Sequence, residues 1–286
     1  MTEQPSFKRF GRWRIAALGL ATATLLPFAY PASTLTAPLP DVVDLRDMTW
    51  VEVRTALQAG HTTAIVPTGG IEQNGPHMIL GKHDYLVAYA ARRIAKEVGQ
   101  TMVAPVVSYV PEGDYDPPSG HMRFPGTLGV PEKVFAGVLE GVARSLKAAG
   151  FKTICFIGDH GQSQDVQKDV ALRLTREWEK AGVRVVQIAD YYAVPAQTKR
   201  LQSDGLSLAQ IGQHASIIDT SELMAVHPKG VDLARYRKQF MPQEQSGVYG
   251  NPAPSTEALG ADLIRMRIEA AVRQIKANLA GPGGKS

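Results

Sequence analysis

The sequence has a single cysteine, and it lacks internal repeats and low-complexity tracts. One cysteine cannot form an intramolecular disulfide, and Cys155, which stands in an apolar stretch, is predicted to be a buried core residue. The 27 glycines and 19 prolines are ordinary for a loop-rich globular chain, which excludes a collagen, a coiled coil and wholesale disorder. The 286 residues, 44% of them hydrophobic, are enough to bury a sizeable core.

Beyond its first 37 residues the sequence has almost no excess of positive charge. The formal net charge is +4, but the first 37 residues hold four basic side chains against one acidic side chain, Glu3. The rest of the chain carries 27 basic and 26 acidic residues. A polyanion-binding protein needs a basic face on its folded domain, so this balance predicts no nucleic-acid partner. The four basic residues are Lys8, Arg9, Arg12 and Arg14.

Long hydrophobic runs are also absent. The apolar stretch from Ile15 to Leu26 stops at Pro27, and as a helix it would span about 18 Å of a hydrocarbon layer of roughly 30 Å. A basic start, a short apolar stretch and small residues are the three parts of an export signal. Residues 1–37 are therefore predicted to be a signal peptide cleaved between Ala32 and Ala37, which places the mature protein in the periplasm or outside the cell. An uncleaved membrane tether is the alternative.

After Asp41 the sequence alternates short β-branched runs with longer stretches of helical periodicity. This alternation predicts an α/β fold in a single domain over residues 41–280, with a mainly parallel sheet flanked by helices on both faces. Residues 281–286 are expected to form a frayed tail. The predicted strands are Thr62–Pro67, Met102–Val110, Thr153–Ile157 and Val183–Ile188. The predicted helices are Tyr85–Val98 and three further ones through Val134–Leu146, Val166–Trp178 and Ile264–Leu279.

Side chains with metal-ligand chemistry follow the ends of these strands. In open α/β sheets the strand ends leave a crevice framed by loops, and ligands bind there. Four of the seven histidines lie in these segments, and a carboxylate combined with imidazoles is a ligand set for zinc or manganese. The residues concerned are Glu72, His77, His83, His121 and His160.

The same segments resemble the creatininase (creatinine amidohydrolase) family. The motifs EQNGPHMILGKHD, HMRFPGT, GDHG and HASIIDTS occur in the family's order and span most of residues 45–280. The resemblance implies a parallel α/β sheet, a metal-dependent hydrolase of the cyclic-amide type, and a homo-oligomer. It also implies a typical site with two metal ions, a bridging aspartate and further histidine and carboxylate ligands.

Compared position by position with the family, the sequence supports one tight metal site but not the other. Glu72, His83 and His160 are expected to hold one tight divalent ion of zinc, manganese or iron, although His83 stands where the family usually has the bridging aspartate. Asn74 and Gln162 replace ligands of the second site with neutral amides, so a second ion would be weakly held. Asp84 and His77 are candidates for that weak site or for support of the ligands.

Further residues of the resemblance are candidates for catalysis and substrate binding. His214 matches a histidine near the substrate and is a candidate proton shuttle, with Asp219 beside it in place of the usual glutamate. His121 and Arg123 are candidates for substrate contact.

Structural roles compete for several of these residues. Asp84 suits the N-cap of the helix that follows it, and Asp219 with Glu222 has the spacing of a capping box. His121 and Arg123 could pin their loop, His77 could orient its loop, and His227 fits a helix end or the surface.

Together these observations predict an exported, metal-dependent hydrolase of a small cyclic amide or related C–N bond, acting on a small-molecule substrate. One alternative is a non-catalytic protein of the same fold that binds a metal ion or small molecule in the periplasm. Another is a lactone hydrolase of the same family, which would differ in substrate and share the machinery.

Overall fold

A four-stranded parallel sheet forms the centre of the computed structural model, which describes residues 43–238 and 241–280. The strands are β1 (Thr63–Thr68), β2 (Thr101–Val103), β3 (Thr153–Gly158) and β4 (Arg184–Gln187), in the order β2-β1-β3-β4. Every neighbouring pair is parallel. Because β1 and β3 pair along their whole length, the loops that follow them emerge side by side at one edge.

Helices cover the sheet and connect its strands. Those preceding or linking the strands are α1 (Trp50–Gln58), α2 (Lys82–Val98), α3 (Glu132–Ala149) and α4 (Gln164–Trp178). After β4 come α5 (Val194–Ser203), α6 (Leu208–Ile211), α7 (Ile217–Val226), α8 (Leu233–Lys238), α9 (Gln243–Ser246) and α10 (Glu257–Ala280).

Both faces of the sheet are buried, which explains why its central strands are continuous apolar runs. On one face Val66 and Phe156 pack in a core with α1, α3 and α4. On the other face Ile65 and Cys155 pack with α2 and α10. The α/β class, the mainly parallel sheet, the helices on both faces and the core position of Cys155 are therefore confirmed.

The second strand is shorter than predicted. The prediction of a strand over Met102–Val110 is wrong beyond Val103, because the chain reaches Pro105, which has no N–H to donate to the sheet. The chain then runs beside the sheet through isolated bridges at Val107 and Val110. This irregular path is what carries the next loop over the strand ends.

Two predicted helix caps are wrong. Helix α2 begins at Lys82, after its N-cap Gly81, so Asp84 lies inside the first turn and caps nothing. Helix α7 has Ser216 as its N-cap, so Asp219 is already helical and forms no capping box. Both carboxylates have other partners, described below.

The last predicted helix is confirmed as α10. Of the apolar residues that predicted it, Ile264, Ile268, Ala271 and Ile275 are buried, whereas Leu279 is exposed. The predicted signal peptide over 1–37 and the predicted tail over 281–286 lie outside the described residues. Within the described ranges, no helix combines the length and the hydrophobicity needed to cross a membrane.

Candidate metal centre

The candidate site lies where β1 and β3 end. The loop after β1 carries Glu72, the loop after β3 carries His160, and the intervening start of α2 carries Lys82 and His83. A glycine is required where the first loop meets α2, because a Cβ at Gly69 would lie 1.9 Å from the Asp84 carboxylate. The topology therefore brings side chains far apart in sequence to one crevice, as expected for the carboxyl edge of a parallel sheet.

Asp84 holds this first loop in place. Its carboxylate accepts a hydrogen bond from the backbone N–H of Gly70 at 3.1 Å and another from the Ser108 hydroxyl at 2.5 Å. Burial raises the pKa of this carboxyl group. Asp84 thus connects α2 to the two loops beside it, and it lies outside the group of side chains that could share a cation.

Glu72 is the centre of the site, and it is fully buried. Its Oε2 lies 2.9 Å from His160 Nε2 and 3.2 Å from His121 Nε2. Its Oε1 lies 2.7 Å from His83 Nε2. A buried carboxylate surrounded by three imidazoles is an arrangement that metal centres and acid–base sites share.

Glu112 is a second fully buried carboxylate in this crevice, and the sequence analysis missed it. Its Oε2 lies 3.2 Å from His160 Nε2, but that N–H already donates to Glu72, and neither Glu112 oxygen has a hydrogen-bond partner. One signal was available: Glu112 follows the predicted end of the second strand at Val110, just as Glu72 follows the end of the first.

His121 completes a group of four. Among the described residues, one ligand atom from each of Glu72, Glu112, His121 and His160 can be chosen so that all four lie within 4.8 Å of one another. The Gln73 amide donates to His121 Nδ1 at 3.1 Å, which leaves the ring proton on Nε2. A cation at Nε2 would move that proton to Nδ1 and turn the Gln73 amide over. Glu72, Glu112 and His160 therefore form the part of the group that can bind a cation with less rearrangement.

Burial and mutual charge shift the pKa values of this group. Burial opposes ionisation of Glu72, but the charges of His83 and His160 hold its pKa well below its usual range. Burial raises the pKa of Glu112 and lowers that of His121 to about 4. Burial also disfavours protonation of His160, but the neighbouring Glu72 and Glu112 raise its pKa to about 10. Nearby positive charge thus stabilises the ionised form of Glu72, whereas burial still disfavours the ionised form of Glu112.

These observations fit a divalent cation. Two buried carboxylates and two imidazoles are donors that zinc and manganese accept. Both Glu112 oxygens are buried polar atoms with no hydrogen-bond partner in the described structure, which is costly unless a ligand satisfies them. A cation would take the place of the proton that His160 shares with Glu72, in line with the general coupling of metal binding to proton release.

His83, the third predicted ligand, lies on the opposite side of Glu72. Its Nε2 contacts Glu72, and its Nδ1 lies 2.6 Å from Asp159 Oδ2. A metal-ligating histidine commonly has a carboxylate behind its other ring nitrogen, so the Asp159 contact is an arrangement that a ligand at Nε2 would show. Its assignment as a ligand stays a prediction, as does the ligand set as a whole.

The candidates for a weak second site are dispersed. The Asn74 amide donates to backbone carbonyls of its own loop, including those of Glu72 at 3.0 Å and Ile79 at 3.2 Å. His77 is bonded to Thr220 at 3.0 Å, and burial lowers its pKa to about 4. Gln162 is exposed at the wall of the cavity described below. None of the three belongs to the group of four.

His214 and Asp219 both reach the same crevice. His214 Nε2 donates to the backbone carbonyl of Gln73 at 2.9 Å, so its Nδ1, 3.7 Å from Glu72 Oε1, carries the lone pair. Burial lowers the pKa of His214, which keeps the ring neutral. Asp219 is paired with the buried Lys82, whose Nζ lies 2.9 Å from Asp219 Oδ1.

A cavity of about 590 Å³ opens above these groups. Of the group of four, Glu72, His121 and His160 line it, and so do Arg123 and Gln162. Arg123 is exposed, and its Nε donates to the carbonyl of Gly120 at 3.2 Å. The volume falls within the range of about 300–1,000 Å³ that is usual for small-molecule sites. Apolar side chains form part of the wall: Phe124, Val194, Leu208, Ile211 and Ile218.

A buried network supports the site from behind. Arg267 of α10 is paired with Asp159 and, at 2.9 Å, with Glu222. The Tyr191 hydroxyl donates to Asp159 at 2.9 Å. Since Asp159 also contacts His83, the network joins the last helix to the centre. Only the packing of α10 on the sheet brings Arg267 here.

Arg267→Met is expected to lower the free energy of unfolding by about 3–5 kcal/mol, because it leaves Asp159 and Glu222 buried without their cation. Urea unfolding followed by circular dichroism measures the change. Arg265→Met is the matched control, since Arg265 lies on the same helix but is exposed, and its loss should leave the stability nearly unchanged. Equal effects of the two changes would contradict a structural role for the network.

Comparison with known proteins identifies relatives of the whole domain. The creatininase family, described as creatinine amidohydrolase, matches residues 46–275. A creatinine amidohydrolase of Pseudomonas putida is 27% identical over 195 residues, which are 66% of this chain and 74% of the relative. A mycofactocin precursor peptide peptidase of Mycolicibacterium smegmatis is 23% identical over 233 residues, 74% of this chain and 83% of the relative.

Solved structures agree with this fold. A crystal structure of creatinine amidohydrolase (creatininase) superposes with a TM-score of 0.69 at 22% identity, covering 85% of this chain and all of that chain. A manganese form of creatininase and a mutant creatininase of a Zn-Zn type both superpose with a TM-score of 0.69 at 21% identity. These cover 84% and 85% of this chain and all of theirs.

Proposed function

The chain belongs to the creatininase family, and from this premise we propose that it is a metal-dependent hydrolase of a C–N bond in a small cyclic amide or related substrate. The observation that carries the proposal is the convergence of Glu72, Glu112, His121 and His160, of which Glu72, His121 and His160 line an open cavity. The names of both curated relatives denote hydrolysis of an amide bond, which supports the same reaction type.

Glu72, Glu112 and His160 would hold one divalent ion, with His121 as a fourth ligand. Two negative charges match one dication, and zinc and manganese are the candidates that suit these donors and that the solved relatives contain. Such an ion supplies polarisation of a carbonyl oxygen and activation of a water molecule.

The protein's own groups would orient the substrate and move the proton. His214 is neutral and has its free Nδ1 near Glu72, so it can accept a proton at that atom and pass it to the leaving nitrogen. Arg123 lines the cavity and can contact a polar group of the substrate. The apolar wall favours substrates with a hydrophobic part beside the amide.

Export and self-association are part of the proposal. The basic start and short apolar stretch of residues 1–37 support a cleaved signal peptide, and N-terminal sequencing of secreted protein tests it. Recovery of protein that still begins at Met1 would contradict cleavage. Family membership supports a homo-oligomer, for which a monomeric mass in light scattering would be the contrary result.

Metal quantification followed by a substrate screen tests the proposed activity. Purified protein is stripped with a chelator, reloaded with zinc or manganese, and assayed on cyclic amides, lactones and short peptides. We expect turnover of an amide by the loaded protein and none by the stripped protein. Tight ligand binding without turnover would support the binding-protein alternative instead, and turnover of lactones alone would support the lactone hydrolase. Equal turnover after stripping would overturn the metal model.

A further inference from the structure

The two oxygens of Glu72 face different surroundings. Oε2 faces His160 and His121, with Glu112 beyond them. Oε1 faces His83 at 2.7 Å and the ammonium of Lys82 at 3.6 Å. A positive charge built from the chain itself therefore lies on one side of this carboxylate, and the proposed metal ligands lie on the other.

Lys82 is an unusual residue in this fold. Of the lysines in the described part of the chain, it alone is buried, with about 1% of its side chain exposed. A lysine ammonium is rarely buried without a paired carboxylate, because desolvation is costly. Its Nζ lies 2.9 Å from Asp219 Oδ1, and Asp219 belongs to helix α7. Lys82 opens helix α2, so the pair also fastens one helix to the other.

The Oε1 side would otherwise suit a cation. Glu72 Oε1 and His83 Nε2 are 2.7 Å apart, and Lys82 holds Asp219 in the same neighbourhood. These two carboxylates and the imidazole are donors that zinc and manganese accept, although with the ammonium between them they do not lie close enough together to share one ion. The donors on this side are thus present, but the ammonium already neutralises one of their charges.

We infer that the Lys82 ammonium is a built-in cation that occupies the Oε1 side of Glu72 and restricts the centre to one divalent ion on the Oε2 side. The inference rests on the proposed metal-dependent function and adds the reason for a single ion. Lys82 offsets Asp219, so Glu72 and Glu112 are left to balance one dication. A second dication beside the ammonium would meet strong repulsion in this buried setting.

Changing the charge of Lys82 tests the inference by metal stoichiometry. Lys82→Gln removes the charge and keeps an amide that can donate to Asp219, so the buried carboxylate retains a partner. Lys82→Ala removes the charge and also opens space. Lys82→Arg is the matched control that keeps the charge. Each protein is stripped, titrated with Mn²⁺, and analysed by elemental analysis and electron paramagnetic resonance, with circular dichroism as the check of folding.

We expect one equivalent of Mn²⁺ and the six-line spectrum of an isolated ion for the unchanged protein and for Lys82→Arg. For Lys82→Gln or Lys82→Ala we expect two equivalents and the broadened spectrum of a coupled pair. Two tight equivalents in the unchanged, active protein would overturn the inference and leave the proposed function standing. A single equivalent in the folded neutral variants would also overturn it. Absence of metal binding in the unchanged protein would instead overturn the proposed function.

Discussion

Glu72→Ala and His160→Ala are each expected to abolish tight metal binding and hydrolysis together. Glu72 contacts all three histidines of the centre, and His160 lies between both of its carboxylates. Loss of a residue that merely supports a metal ligand already costs about 10–100-fold in affinity or activity. Removal of a ligand should exceed that, so we expect a loss of more than about 100-fold in both quantities.

The measurements are metal content after dialysis and the rate of amide hydrolysis by protein loaded with zinc or manganese. Glu97→Ala is a suitable control, because Glu97 is an exposed glutamate on α2 that pairs only with Arg93 at 3.7 Å in the described structure. A folded Glu72→Ala protein with full activity would remove the metal model. Loss of activity with metal content unchanged would assign Glu72 to acid–base chemistry instead.

The sheet could be predicted from the sequence because its strands are buried on both faces. Such strands are unbroken apolar runs, and the predicted limits of β1 and β3 differ from the observed ones by one residue. Glu72 and His160 could be predicted as site residues for the same reason, since each lies within five residues of the end of one of these runs. The position of a side chain just after a buried strand is local information.

The rest of the centre depends on contacts that are distant in sequence. Glu112 lies on a loop with no regular periodicity, and none of the four family motifs includes it. Asp159 and Arg267 are 108 residues apart, and only the packing of α10 brings them together. Lys82 resembles an ordinary first residue of a helix until α7 places Asp219 beside it. Burial of these groups could not be inferred before the helices were placed.

Substitution of Glu112 distinguishes two possible ligand sets. Both contain Glu72 and His160, but the sequence predicts His83 as the third ligand, whereas the structure places Glu112 in the group. Glu112→Gln keeps the shape of the side chain and removes its charge. We expect it to weaken metal binding more than about 100-fold, as for a lost ligand. His83→Gln should have the smaller effect on affinity if the ion lies on the Oε2 side of Glu72. Calorimetric titration with Zn²⁺ measures both, and the reverse order would favour the set predicted from the sequence.

The stability of the metal-free protein provides a second test of the role of Glu112. Here removal of the carboxylate is expected to be favourable, whereas for metal binding it is unfavourable. In the described structure its carboxylate is buried with no hydrogen bond, and burial raises its pKa. A buried polar group without a partner costs about 1–3 kcal/mol, so Glu112→Met, which replaces the carboxylate with an apolar side chain of similar length, should raise the unfolding free energy of the metal-free protein by about that amount. His83→Gln should lower it, because Asp159 and Glu72 both lose a partner. A residue whose neutralisation stabilises the stripped protein and weakens its metal binding is maintained for the ion, whereas equal destabilisation by both changes would make Glu112 a structural residue.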